Sequence, residues 1–241
     1  MALIRQPFEA KPLKQIIQFG LDLLYPPRCA GCGAAGTVLC DNCLSQFQPV
    51  DKPYSISVQD IPDSETRYRI RSMVILSDVW YQPPASSAVL CLKYRSDRRL
   101  ADILADRLAD LSSGAGIRAD LAVVIPLGKK RLRHRGYNQV EIIARPFCDR
   151  LGIRYAADAL KRIRETATQV GLDPEERKLN VSGAFAAERS MVHGRRIILL
   201  DDVVTTGATL LSAAGVLFKA GARNVTGLTV ARALSQSNWQ R

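Results

Sequence analysis

Residues 197–210 read Ile-Ile-Leu-Leu-Asp-Asp-Val-Val-Thr-Thr-Gly-Ala-Thr-Leu: an aliphatic run, two adjacent carboxylates, and a turn of small and hydroxyl residues. Four aliphatic residues in a row suit a strand buried on both faces, and the pattern ends that strand at Asp201. Asp201 and Asp202 are therefore expected at the carboxyl edge of a sheet, where open α/β folds hold their ligands. Thr205, Thr206, Gly207, Ala208 and Thr209 follow, offering hydroxyls and, at the start of the next helix, unpaired N–H groups whose dipole favours an anion. Two carboxylates beside a phosphate cradle would repel a bare phosphate. They suit ribose hydroxyls and a Mg²⁺ ion bridging to further phosphate, because that ion takes hard oxygen ligands. A plain helix cap would need neither the second Asp nor so many small residues in register. No G-x-x-x-x-G-K-[ST] occurs, which argues against nucleotide hydrolysis on a P-loop.

The segment resembles the phosphoribosyl-pyrophosphate (PRPP) loop of type I phosphoribosyltransferases. That resemblance implies that Asp201 and Asp202 contact the ribose 2′ and 3′ hydroxyls. It also implies that Val203, Val204 and the loop Thr205 to Thr209 enclose the 5′-phosphate, with Mg²⁺ accompanying PRPP.

A second constraint lies near the N-terminus, where Cys29, Cys32, Cys40 and Cys43 form two C-x2-C pairs. Each pair makes a tight knuckle whose thiolates converge, and four such ligands close a tetrahedral structural Zn²⁺ site to water. The gap between the knuckles is short, so the ribbon must be small. Thiol–disulfide exchange and structural disulfides are the competing readings. Two pairs this close, with no thioredoxin-like unit around them, favour zinc. Residues 1–28 carry no secretory signal pattern, so a reducing, cytoplasmic setting is expected. Cys91 and Cys148 fall in apolar helical patterns and read as ordinary buried thiols.

The 241 residues can bury one α/β core beside a small metal module. A formal charge of +11 fits a pyrophosphate ligand and equally a nucleic-acid partner, so charge alone does not choose. No run approaches a membrane span. Leu13 to Leu24 is broken by Lys14, Gln18 and Asp22 and reads as an amphipathic helix ending before Pro26-Pro27. The expected organisation is a helical lead-in over 1–28, the ribbon over 29–48, a Pro/Ser/Asp-rich linker or irregular arm over 49–66, and an α/β domain over 67–235. Within that domain, strands near 71–77, 121–126, 197–200 and 225–231 alternate with helices near 86–94, 100–111 and 207–220, a pattern of parallel sheet covered on both faces.

Directly after the strand at 121–126 comes a basic loop, Leu127-Gly128-Lys129-Lys130-Arg131-Leu132-Arg133-His134-Arg135-Gly136-Tyr137-Asn138-Gln139. Leu127, Gly128 and Lys129 stand where a pyrophosphate loop would begin. Lys130, Arg131, Arg133 and Arg135 could grip phosphodiesters, and Tyr137 could stack on a base. Asn138 and Gln139 could cap the next helix or reach ligand, and His134 reads as a solvated side chain. A polar stretch from Arg162 to Phe185 has the character of a lid, with Arg164, Gln169 and Arg177 as candidates to face pyrophosphate.

Taken in order, the four cysteines, the Arg-x-Arg-Gly-Tyr-Asn-Gln stretch, the Arg…Thr-x-Gln…Arg-x-x-Asn segment and the Asp-Asp-Val-Val-Thr-Thr-Gly-Ala-Thr loop are similar to the ComF family over about residues 24–232. The resemblance implies a type I phosphoribosyltransferase-like parallel sheet with an N-terminal four-Cys zinc ribbon. It also implies a link to competence, the uptake and processing of single-stranded DNA. Two functions follow from it. One is an enzyme binding PRPP or a related phosphoribosyl ligand; with no evident general base, transfer would rest on positioning and charge stabilisation. The other is a binding module that contacts single-stranded DNA or a competence helicase partner through the basic loop and the ribbon.

Overall fold

The computed structural model describes residues 25–57, 72–165 and 183–233. Its main sheet contains β1 (Tyr54–Ser57), β2 (Ser72–Trp80), β3 (Leu121–Val124), β4 (Arg154–Tyr155), β7 (Arg196–Val204) and β8 (Asn224–Arg232), in the order β1-β2-β8-β7-β3-β4. Every neighbouring pair is parallel except β1 with β2. A separate antiparallel pair, β5 (Leu160–Arg162) and β6 (Phe185–Ala187), stands beside it. The helices are α1 (Asp41–Ser45), α2 (Ala85–Tyr94), α3 (Arg98–Gly114), α4 (Lys129–Arg135), α5 (Gln139–Leu151), α6 (Arg189–Val192) and α7 (Ala208–Lys219).

The sheet is buried on both faces, as its unbroken aliphatic strands require. Alternate residues of the central strands go to opposite layers. Ile198, Leu200 and Val124 join α2, α3 and α5 on one face, while Ile197, Leu199 and Val123 join α7 and the β5–β6 pair on the other. Helix α3 shows why these segments coil. Leu100, Leu104 and Leu108 recur every fourth residue and are all buried, and Asp97 caps the helix by accepting from the Arg99 N–H at 3.0 Å. Phe47 and the knuckle cysteines Cys29 and Cys43 belong to the same core cluster as α2 and α3, so the ribbon packs on that layer of the sheet.

Three readings of the sequence are corrected. The strand at 197 does not end at Asp201: β7 runs on to Val204, because Val203 and Val204 are β-branched and β8 offers Ala231 and Arg232 as parallel partners. Part of the expected linker, residues 54–57, is a strand paired with β2, and Pro49 bridges Val79. The two-residue alternation Tyr-Ser-Ile-Ser was masked by its Pro- and Ser-rich neighbours. The basic loop is largely helix α4, bounded by Gly128 and Gly136, since Lys and Arg are strong helix formers. The amphipathic helix expected at 13–24 lies outside the described residues. Cys148 is buried, but Cys91 is only half-buried.

Candidate functional site

The sheet order fixes where a ligand can sit. After β3 the chain crosses to β4 on one side, and after β7 it crosses to β8 on the other, although β3 and β7 are neighbours. Their carboxyl ends therefore diverge into a crevice, the switch point at which open α/β sheets bind ligands. Residues 125–128 leave one side of that crevice and residues 205–207 the other. The first turn is firmly held. The Ile125 N–H donates to the Leu200 carbonyl at 3.0 Å, Asn138 Nδ2 donates to the Ile125 carbonyl at 3.0 Å, and an Arg162 guanidinium N–H reaches the Pro126 carbonyl at 3.3 Å. Asn138 also caps α5, its Oδ1 accepting from the Val140 N–H at 3.0 Å, so one side chain fixes both turn and helix.

Because β7 continues past them, Asp201 and Asp202 are strand residues on opposite faces. Asp202 is buried and turned toward α2 and α5, where its Oδ2 lies 3.0 Å from Lys93 Nζ and accepts from Gln139 Nε2 at 2.6 Å. The Arg135 guanidinium in turn donates to Gln139 Oε1. Asp201 lies on the face of β5. Its Oδ1 accepts from the Asp202 N–H at 2.8 Å. Burial, together with the neighbouring Asp202 carboxylate, pushes the Asp201 carboxyl up to about 8, outweighing that N–H and the charges of Lys93 and Arg162. Burial also depresses Arg162, as does the charge of Arg131, while Glu165 and Asp201 partly offset both.

The turn after β7 is built on Gly207, the N-cap of α7, at φ 79°, a left-handed conformation that favours glycine. The Ala208 N–H is turned to Thr206 Oγ1 at 3.4 Å. Gly207 and Ala208 are buried, and Thr205, Thr206 and Thr209 are half-buried at the rim of the turn.

Across the crevice, the Lys129 N–H donates to Glu165 Oε1 at 2.5 Å, seating a carboxylate on the turn expected to take pyrophosphate. The nucleic-acid candidates separate. Lys130, Arg131 and Arg135 share a cavity of about 540 Å³ with Lys93 and Tyr94, whereas Tyr137 lines a different one and donates its hydroxyl to the Leu92 carbonyl at 2.8 Å. Arg133 is exposed and lines neither cavity. Of the lid candidates Arg164 is exposed, and Gln169 and Arg177 lie outside the described residues. The sequence reading missed Lys93, Arg162 and Glu165. Lys93 sits in an otherwise apolar helix beside no recognisable motif, and the other two gain meaning only when the β5 end folds over the crevice.

The four knuckle thiols converge. The Sγ atoms of Cys29, Cys32, Cys40 and Cys43 all lie within 4.8 Å of one another, with Cys29 to Cys40 at 3.6 Å and Cys32 to Cys40 at 3.8 Å. Tetrahedral zinc with Zn–S near 2.3 Å requires edges of about 3.8 Å. Gly31 permits this closeness, since a Cβ there would meet Cys43 Sγ at 2.6 Å and Pro84 Cβ at 2.9 Å. Burial raises Cys29, but backbone N–H groups of Cys32, Cys40 and Gly31 outweigh it and lower the thiol to about 6; burial and the other three thiols push Cys43 up to about 12. Four converging thiolates need a cation among them, and a structural Zn²⁺ fits this donor set. Among the described residues, no helix is long and apolar enough to cross a membrane.

Residues 20–55 match the family described as a double zinc ribbon domain. Among solved structures, similarity extends to glutamine PRPP amidotransferase from B. subtilis, at 19% identity and TM-score 0.41 over 58% of this chain and 30% of that one. It extends also to adenine phosphoribosyltransferase from Thermoanaerobacter pseudethanolicus, at 14% identity and TM-score 0.37 over 58% and 83%. The DNA utilization protein YhgH of Salmonella typhimurium is 31% identical over 83% of this chain and 80% of its own length. Competence protein F of Haemophilus influenzae is 30% identical over 86% and 85%. ComFC of Streptococcus pneumoniae is 33% identical over 46% and 47%. With a four-cysteine ribbon ahead of a mostly parallel sheet, and with relatives matched across most of both chains, this protein belongs to the ComF family.

Proposed function

We infer that this chain binds PRPP, or a related ester of ribose 5-phosphate, together with Mg²⁺, and that it serves DNA utilization as the names of its relatives suggest. The observation that carries the reading is the crevice between β3 and β7, which sets the Gly207 turn opposite the Leu127–Lys129 turn at a topological switch point. Thr205 to Thr209 would take the 5′-phosphate on hydroxyls and on the amides at the start of α7. Leu127, Gly128 and Lys129 would take the pyrophosphate, displacing the Glu165 carboxylate from the Lys129 N–H. Asp201 is the acid available to ribose hydroxyls and Mg²⁺, and Arg162, on its face of the sheet, would offset developing negative charge. Asp202, bonded to Lys93 and Gln139, would set the position of the strand end.

Transfer of the phosphoribosyl group to an acceptor would need no general base from the protein. Bringing the two substrates together, and stabilising the departing pyrophosphate with Lys129 and Arg162, supply the rate. Direct contact with single-stranded DNA is a second reading, favoured by the exposed cationic side chains Lys130, Arg131 and Arg133 on α4. A comparison of ligand fragments tests the first. In Mg²⁺ buffer, PRPP should raise the melting temperature more than ribose 5-phosphate or pyrophosphate alone, because only PRPP engages both turns. Equal shifts from PRPP and pyrophosphate would count against it.

A further inference from the structure

The cavity between the C-terminal end of α2 and one side of α4 lies beside the crevice and meets it at Glu165, which lines the cavity and accepts from the Lys129 N–H. Lys130 and His134 sit one helical turn apart on α4, as do Arg131 and Arg135, so four basic residues form one stripe along its wall. The opposite wall is Lys93 and Tyr94. Its volume of about 540 Å³ falls in the range of small-molecule sites and is far more than an inorganic phosphate would fill.

Its charge is specific as well as positive. Lys93, Lys130, Arg131 and Arg135 face two carboxylates, Glu165 in the lining and Asp202 behind Lys93. The surplus of two positive charges matches a phosphomonoester, which carries about −2 near pH 7, better than a single phosphodiester. Tyr94 adds the other half of a ligand. Tyr94 is 75% exposed while lining the cavity, and an open aromatic side chain beside cations suits a planar heteroaromatic ring.

We propose that this cavity binds a nucleoside 5′-monophosphate, either free or as the 5′-phosphorylated end of a strand, with its phosphate on the α4 stripe and its base on Tyr94. Lys93 joins the cavity to Asp202 through their ion pair, and Arg135 joins it through Gln139, so an occupant lies one side chain away from the carboxyl end of β7. On the phosphoribosyl reading given above, this is the seat of the acceptor. The cavity itself stands independently of that reading.

The test uses the full-length, zinc-loaded protein and calorimetric titration with AMP, adenosine and a short oligothymidylate with and without a 5′-phosphate. Each ligand is run with and without excess ribose 5-phosphate to fill the crevice. Tyr94→Ala and Lys130→Ala alter exposed side chains, and their melting temperatures check that the fold is kept. AMP should bind in the presence of ribose 5-phosphate, adenosine at least tenfold more weakly, and each variant should lose about tenfold in AMP affinity. If the 5′-phosphorylated strand binds as well as AMP and depends on the same two residues, the ligand is a strand end; if only AMP does, it is a free nucleotide. AMP affinity unchanged by both variants, or AMP displaced by ribose 5-phosphate, would overturn the proposal. PRPP titrated separately distinguishes the two readings: its failure to bind, with AMP binding intact, defeats the phosphoribosyl reading and leaves the cavity standing.

Discussion

Lys93 Nζ lies 3.0 Å from Asp202 Oδ2, so a cation at the end of α2 is tied to one of the two adjacent carboxylates that the sequence marks for ligand contact. Both side chains are less than a quarter exposed, and Gln139 is the other partner of that oxygen. Lys93→Met therefore leaves a buried carboxylate short of a charge partner, and a loss of about 2 kcal/mol in stability is expected. The Lys93→Met/Asp202→Asn double variant should recover part of that loss. A double-mutant cycle by urea unfolding measures both, and additive effects would show that the pair is not coupled.

The thiol cluster makes the ribbon dependent on metal. One zinc per chain is expected by elemental analysis, and its removal by a chelator should lower the melting temperature, because the knuckles share a core with α2 and α3. Cys40→Ser should weaken zinc binding. So should Gly31→Ala, which changes no ligand but drives a methyl into Cys43 Sγ. Full zinc retention in Gly31→Ala would contradict the knuckle geometry.

Asp201, raised to about 8, gives ligand binding a pH dependence of defined sign. Below that value the free protein holds a proton on the carboxyl. A ligand that needs the carboxylate, whether for Mg²⁺ or for a ribose hydroxyl, must expel it. Affinity for Mg²⁺–PRPP should then rise with pH by up to tenfold per unit and level off above about 8. Titrations in buffers of different ionisation enthalpy should register proton release below that level. Proton uptake would reverse the assignment.

Far from the crevice, Asp120 accepts from the Arg196 guanidinium at 2.6 Å and from the Arg196 N–H at 2.8 Å. These bonds hold its carboxyl down to about 2. A depressed carboxylate stabilises the fold above its unfolded value of about 4 and loses that contribution as pH falls toward the folded one. Wild type should therefore exceed Asp120→Asn in stability at neutral pH, with the gap closing between about pH 4 and pH 2. A gap that persists at pH 2 would refute this.

Local chemistry made much of this legible in the sequence. The run Ile197 to Leu200 suits a buried strand, Gly207 marks the turn into α7, and two C-x2-C pairs specify a thiolate cluster. Boundaries were harder to read. Carboxylates at 201 and 202 look like a strand end until the pairing of Val203 and Val204 with Ala231 and Arg232 shows that β7 runs past them. The parts of the site that come from elsewhere in the chain left no local trace. Lys93 meets Asp202 across more than a hundred residues, and Arg162 reaches Pro126 only because the β5–β6 pair stands over the crevice. Such contacts depend on topology, which periodicity and motif spacing do not encode.

Calorimetric titration of the zinc-loaded protein with Mg²⁺–PRPP at pH 8.5, beside Asp201→Asn, is the most direct test. That variant keeps the Lys93–Asp202 pair and mimics the protonated carboxyl of the free site, so its fold should be intact. Micromolar binding by wild type, weakened at least tenfold in the variant, is expected. A folded wild type that gives no heat of binding with millimolar PRPP would contradict a phosphoribosyl site between β3 and β7.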